Sequence, residues 1–363
     1  MTLKNRQKRF LIQITPFAIV WLAFAVVYSL LEYGLLGSLD HYPSTGNRYD
    51  FDENFLFTSI SCLFVGLMQG WVEVKWLRRK FSHRPLWFKI IFKTLFYLAF
   101  IVLFLALLSL VNSLINYREG VWSLALGDLK RFFWNFAFWG LIIYIAMALF
   151  IALFFSEISQ YVGDGVLYNF LMGKYHRPKK ETRIFMFLDM KGSTTIAEEI
   201  GHKNYFKLLE VYYSDMTDAI LDTSGDIYQY VGDEIIVSWP KQKGVEENNC
   251  ILCFKKIASK IEKNKEKYLQ QFGRVPEFKA GYHIGEVTTG EIGILKKDII
   301  YTGDVLNTAA RIQAQCNTYD AKALISGELL EELQKEDPIA FTRIGKLLLR
   351  GKKEAIQLYK VVF

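Results

Sequence analysis

Hydrophobic and polar positions divide the chain near residue 157. Before it, four stretches (10–31, 54–72, 94–111 and 132–156) carry no charged side chain over about the length of a bilayer core, roughly 20 residues. Runs such as "AFIVLFLALLSLV" and "GLIIYIAMALFIALFF" have no polar face, whereas a helix at the surface of a soluble bundle keeps one. The pattern predicts four membrane-spanning helices. After residue 157 the pattern shortens and alternates. "RIFMFLD" reads as a strand, 195–222 as helix, 226–239 as a hairpin and 245–272 as a charged helix. Strands at 277–286 and 298–302 precede a helix at 304–315, and short segments close the chain. Sequentially paired strands mixed with helices predict an α+β domain, one sheet carrying helices on its face. The expected organisation is a membrane domain 1–156, a connector 157–182 and a soluble domain 183–363.

In the connector, Ile158, Tyr161 and Val162, then Val166, Leu167, Phe170 and Leu171, have helical spacing. Gly163 and Gly165 interrupt it, and Pro178 ends it. The spacing fits a passive tether or a dimer-forming segment that passes membrane motion on.

Composition supports this division. The chain is 52% hydrophobic, and nearly all of the excess lies before residue 157. A net charge of +7 raises the question of nucleic acid. Much of the basic charge instead gathers beside apolar runs, as Lys4, Arg6, Lys8 and Arg9, then Lys75, Arg78, Arg79, Lys80 and Arg84. That is the signature of residues retained on the cytoplasmic face, and it removes nucleic acid as a partner. Both chain ends are therefore expected in the cytoplasm, inside an inner or plasma membrane. Short external loops fall at 37–53 and 112–130. The first apolar run exceeds a signal-peptide core. Trp21, Trp71, Trp122 and Trp134 suit either interfacial anchoring or ordinary packing. Of the four cysteines, the pair in "CILCFKK" lacks a second Cys/His pair at zinc spacing and reads as two helix residues one turn apart. The five histidines are scattered, so a histidine metal site has no support.

Chemistry concentrates in three places. Asp189 stands where the first soluble strand stops, followed by Gly192, Ser193 and Thr194 before a helix. Thr195 and Glu198 have capping-box spacing for that helix, whose free N–H groups suit a phosphate. In "YQYVGDEIIVSW", Asp233 sits at the turn of a hairpin that can lie beside the first strand. Taken singly, either Asp is an ordinary turn residue; brought together, they form a hard-oxygen site suited to magnesium or manganese. In "TGDVLNTAARIQ", Asn307 and Arg311 are four apart on a helix and share a face. An amide and a guanidinium there can grip a ribose and a developing phosphoryl charge, although such pairs also occur on solvated helix surfaces.

In this order the stretches resemble the class III nucleotidyl cyclase family, from "FMFLDMKGSTTIAE" through "YVGDEIIVSW", "GYHIGEVTTGEIG" and "TGDVLNTAARI" to "LLLRGKKEAIQLYKV". The resemblance implies a ferredoxin-like sheet with flanking helices, acting as a homodimer with two active sites across the interface. Its reaction converts a nucleoside triphosphate to the 3′,5′-cyclic monophosphate and pyrophosphate. Asp189 and Asp233, with the carbonyl of Met190, would hold two Mg2+ or Mn2+ ions per active site. Asn307 would orient the ribose and Arg311 would stabilise the α-phosphate, both from the opposite subunit. Arg350 stands where the family usually has a Lys for the terminal phosphates. At the base-reading positions the chain departs from the pattern. Gln229 replaces the Lys of adenylyl or the Glu of guanylyl cyclases, and Ile300 replaces an Asp or Thr. A Gln amide can pair with adenine, or turn to serve guanine or a pyrimidine. The resemblance therefore favours ATP, then GTP, then a pyrimidine nucleotide. The same departure motivates a reading of another class, a catalytically silent nucleotide-binding membrane receptor or regulator. Against it, neither metal Asp nor the Arg is missing.

Overall fold

The computed structural model of the protein describes residues 5–37, 39–41, 48–81, 84–116, 122–162, 173–295, 297–333, 339–350 and 354–363. The chain divides into two compact units, Gln7–Tyr168 and Asn169–Phe363.

The first unit is helical: α1 (Asn5–Leu36), α2 (Phe51–Val72, continued by a π-helical turn Glu73–Leu77), α3 (Leu86–Asn116), α4 (Trp122–Trp134) and α5 (Phe136–Val162). Four helices are long and apolar enough to cross a membrane, at Phe10–Leu35, Phe51–Leu77, Leu86–Val111 and Phe136–Tyr161. Leu95, Leu103 and Leu107 of α3 are exposed, while Phe17, Trp21, Leu149 and Leu153 pack inside, so these helices are apolar on all sides. At Gly66 a methyl group would come within 2.8 Å of Ala18 Cα, so the missing side chain lets α1 and α2 touch backbone to backbone.

All four spans run beyond their expected bounds at one end or both and carry charge there, Glu32 in the first among them. The fourth begins later than expected, at Phe136, because residues 132–134 belong to α4. Glu73, Lys93 and Glu157 each abut the end of a charge-free run, yet all three lie within helices and are buried. Lys93 Nζ pairs with Glu73 and lies 2.7 Å from Glu157 Oε1; Lys89 Nζ reaches Glu157 Oε2 at 3.4 Å. Tyr97 adds a hydroxyl to Glu73 Oε2 at 3.4 Å. Opposite charges from α2, α3 and α5 therefore cancel in the interior, which lets the helices continue past their first charged residue. The expected loop at 112–130 is also corrected: α3 runs to Asn116 and α4 begins at Trp122. Helix α5 continues unbroken to Val162. The remaining apolar positions of the connector, with Gly163 and Gly165, lie outside the described residues.

The second unit is α+β. Its strands are β1 (Lys179–Met190), β2 (Asp226–Val231), β3 (Glu234–Pro240), β4 (Phe278–Ile292), β5 (Asp298–Thr302), β6 (Ala323–Ser326), β7 (Ala340–Leu347) and β8 (Ile356–Val362). They form one sheet in the order β2-β3-β1-β4-β6-β8-β7, with β5 paired to the far end of β4. The helices are α6 (Ser193–Ile200), α7 (His202–Asp222), α8 (Asn249–Lys263), α9 (Lys265–Phe272), α10 (Asp304–Ala314) and α11 (Gly327–Glu332). Period-two alternation along β1 assigns the two faces. Ile184, Met186, Leu188 and Met190 pack with α7 and α8 residues such as Leu208, Met216, Phe254 and Ile257. Phe185 and Phe187 point the other way, into a cluster with Val305 and Ala309 of α10. Helices thus cover both faces rather than one. Cys250 and Cys253 are free and buried on α8, and burial pushes both thiols up to about 12. They act as core residues, as their spacing suggested.

Candidate active site

Alternation along β1 also aims the site. Asp189 follows Phe185 and Phe187 on the α10 face, one residue from the strand end. Strand β3 runs antiparallel beside β1 with Leu188 opposite Ile235, so the tip of the β2–β3 hairpin falls next to Asp189. Val231 pairs with Glu234, leaving Gly232 and Asp233 as a two-residue turn. Gly232 has φ +63°, and Asp233 is not among the positive-φ residues. This is the pattern of a type II′ turn, in which glycine takes the first central position. Tyr213 of α7 holds the tip by donating to Gly232 O at 2.8 Å and Glu234 O at 3.4 Å.

The two carboxyl groups come close enough to interact. Burial and the neighbouring Asp233 raise the pKa of Asp189 above the ordinary carboxylate range, against the opposing pull of Lys279. Lys279 Nζ lies 3.4 Å from Asp189 Oδ2, and Gln313 Nε2 donates to the same oxygen at 3.1 Å. Glu234 is pushed up to about 7 by burial, then by Asp189 and Asp233. Asp233 Oδ2 is buried and accepts no hydrogen bond. Three acidic side chains thus crowd one end of β1 and β3, and Lys279 is the cation that bears on both Asp189 and Glu234. Hard oxygens with too little opposite charge and an orphaned acceptor fit a divalent cation. Among the described residues no third acidic, His or Cys side chain joins them in ligating geometry. Remaining ligands would come from the Met190 carbonyl and from substrate phosphates.

The other expected residues spread around this centre. Gly192 is the N-cap of α6, and Ser193 is its first residue. The capping box expected of Thr195 and Glu198 does not form: the helix starts two residues earlier and has no side-chain cap, so Thr195 is already inside the first turn. Thr194 is exposed beside it. Gln229 is exposed on β2, just past a register shift at Tyr228, and Ile300 pairs with Gly290 on β5. Their chain neighbours Tyr228 and Tyr301 meet edge to face at 4.9 Å, which brings β2 and β5 together where the resemblance expects the base to be read. Asn307 is exposed and Arg311 half-buried on α10, and neither contacts Asp189 or Asp233 of its own chain. Arg350 is exposed beyond β7; 351–353, which follow it, lie outside the described residues. Sequence reasoning missed Lys279, Gln313, Glu234 and Tyr213. Lys279 faces Asp189 only through the register of β1 on β4, and the others likewise depend on tertiary contacts.

Comparison with known proteins identifies the family. Adenylate cyclase 2 of Rhizobium meliloti (strain 1021) is 32% identical over 204 residues, covering 56% of this chain and 56% of that protein. The adenylate cyclase of Anabaena cylindrica is 26% identical over 180 residues, covering 48% of this chain and 36% of that protein. This chain therefore spans about half the length of the first relative and less of the second. A solved bacterial light-regulated adenylyl cyclase superposes with a TM-score of 0.52 at 20% identity, covering 60% of this chain and 63% of that one, which carries the fold. The adenylate and guanylate cyclase catalytic domain model matches residues 175–362, and the chain belongs to that family.

Proposed function

We propose that the protein is a membrane-anchored, homodimeric nucleotidyl cyclase that converts a nucleoside triphosphate, ATP by preference, to its 3′,5′-cyclic monophosphate and pyrophosphate. One observation carries this reading: Asp189 and Asp233, far apart in sequence, meet with Asp233 Oδ2 unpartnered and little opposite charge nearby. With the Met190 carbonyl they would hold Mg2+ or Mn2+, two ions per site. Bound there, the ions would acidify the attacking hydroxyl and neutralise the triphosphate.

In the reaction the ribose 3′-oxygen forms a bond to the α-phosphorus, the bond to the bridging α–β oxygen breaks, and the hydroxyl proton leaves to solvent. Asn307 of one chain orients the ribose in its partner's site. Arg311 answers the charge that develops at the α-phosphate, where a preorganised cation is most effective. Gly192, Ser193 and Thr194 offer backbone N–H groups at the start of α6 to the phosphates. Arg350 pairs with the terminal phosphates. Gln229 reads the base edge with both a donor and an acceptor, and Ile300 packs on its apolar surface. The adenylate cyclase names of the relatives support adenine. Basic residues beside the spans support an inner- or plasma-membrane protein with its N-terminus and catalytic unit in the cytoplasm. Parallel assays with ATP, GTP, CTP and UTP and Mn2+, products identified by mass, test the reading. Cyclic AMP is the expected major product. Turnover of none of the four would favour the silent-receptor reading, which the altered pair Gln229 and Ile300 motivates.

A further inference from the structure

Helix α10 crosses the sheet unusually closely. A methyl group at Gly281 of β4 would lie 2.2 Å from Gln313 N, so the end of α10 rests directly on the strand backbone. Gln313 is buried in that crossing and sends its amide to Asp189 Oδ2 at 3.1 Å. Lys279, the cross-strand partner of Asp189, reaches the same oxygen at 3.4 Å. Both contacts fall on Oδ2 and leave Oδ1 outside them. At about 100° per residue, Gln313 projects roughly 200° around the axis from Arg311, so the two side chains leave α10 in opposite directions.

We infer that α10 serves two active sites at once, with Gln313 as a positioning residue for Asp189 of its own chain while Asn307 and Arg311 complete the partner's site. This rests on the dimeric cyclase reading. Residue chemistry fits the role. An amide donor holds one oxygen of an ionised carboxylate without adding charge, whereas a Glu at 313 would bring another carboxylate to a site already crowded by Asp233 and Glu234. Because Gly281 admits no slack, the orientation of Asp189 and the reach of Arg311 are set by the same rigid helix.

The test uses a mixed dimer of full-length chains with two different tags, isolated by sequential affinity steps. One chain carries Asp233→Ala and the other Arg311→Ala, so a single working site remains, with its carboxylates from the Arg311→Ala chain. Gln313→Met, which keeps the side-chain volume and removes the donor, is then added to either chain. On the chain supplying the carboxylates it raises the half-saturating Mn2+ concentration for turnover about 10-fold, with KM for the triphosphate little changed. The same shift appears in calorimetric titration of Mn2+ into the mixed dimer saturated with an ATP analogue lacking the 3′-hydroxyl. On the other chain, whose own carboxylate site is already silenced, the Mn2+ dependence stays where it was. An equal effect from both chains would assign Gln313 to helix packing alone and overturn the inference, as would no effect from either. A mixed dimer with no activity above the two parents would instead overturn the shared-site reading, and this inference with it.

Discussion

The two units bury acidic pairs in opposite ways. In the membrane unit, Glu73 and Glu157 face Lys89 and Lys93, four charges that sum to zero, with Tyr97 adding a hydroxyl. In the catalytic unit, Asp189 and Asp233 stand beside Glu234 with Lys279 as their cation, and Asp233 Oδ2 has no hydrogen bond. Compensated charge ties helices together, because removing any member strands the others in a medium that solvates them poorly. Under-compensated charge costs stability and creates affinity for a cation. Burial alone therefore does not mark a functional acid; the local charge balance does.

The largest expected effect comes from breaking the under-compensated pair. Asp233→Ala should lower the rate of cyclic nucleotide formation by about 10³-fold, equivalent to the several kcal/mol a metal ion supplies at a phosphoryl centre. Steady-state assays with Mn2+ check this. Next comes the compensated cluster. Lys93→Ala should destabilise the detergent-solubilised protein by about 3–5 kcal/mol, because Glu73 loses its counter-charge. Replacing the pair together, as Lys93→Met with Glu73→Leu, should come out close to neutral in the same thermal unfolding experiment and leave Lys89–Glu157 in place.

A smaller effect has the opposite sign. Asp189→Asn relieves repulsion from Asp233, so in EDTA at neutral pH the variant should melt a few °C above wild type. The sign follows from the raised folded-state pKa of Asp189, whose ionised form costs stability at neutral pH. The gain should vanish as the pH falls below the unfolded value of about 3.9, where the carboxyl is protonated in both states. Adding Mn2+ with a triphosphate should raise the melting temperature of wild type and not that of the variant. Smallest is Tyr213→Phe, which frees the hairpin tip from its bond to Gly232 O. It should cost about 1 kcal/mol in unfolding free energy.

Legibility in the sequence followed the same division. The span cores were readable because nothing in them competes with apolarity. Their ends were not, because a charge-free window stops at Glu73, Lys93 or Glu157, and only the fold shows that these residues cancel one another. Helix α4 was read as loop up to residue 130 because Asp128, Lys130 and Arg131 break its apolar pattern, and its last residues, 132–134, as the start of the fourth span. Asp189 and Asp233 were readable because a strand end and a glycine turn are local signals. Lys279 and Gln313 needed the register of β1 on β4 and the close crossing at Gly281, which no local pattern encodes. Thr195 and Glu198 showed the reverse error, a correct cap spacing in a helix that begins elsewhere.

The central claim is that the carboxylate pair holds divalent cations. Its most direct test is calorimetric titration of Mn2+ into the full-length protein saturated with an ATP analogue lacking the 3′-hydroxyl, comparing wild type with Asp233→Asn. Wild type should take up Mn2+ saturably, and the variant should bind it at least about 10-fold more weakly. Superimposable isotherms for the two proteins would contradict the account.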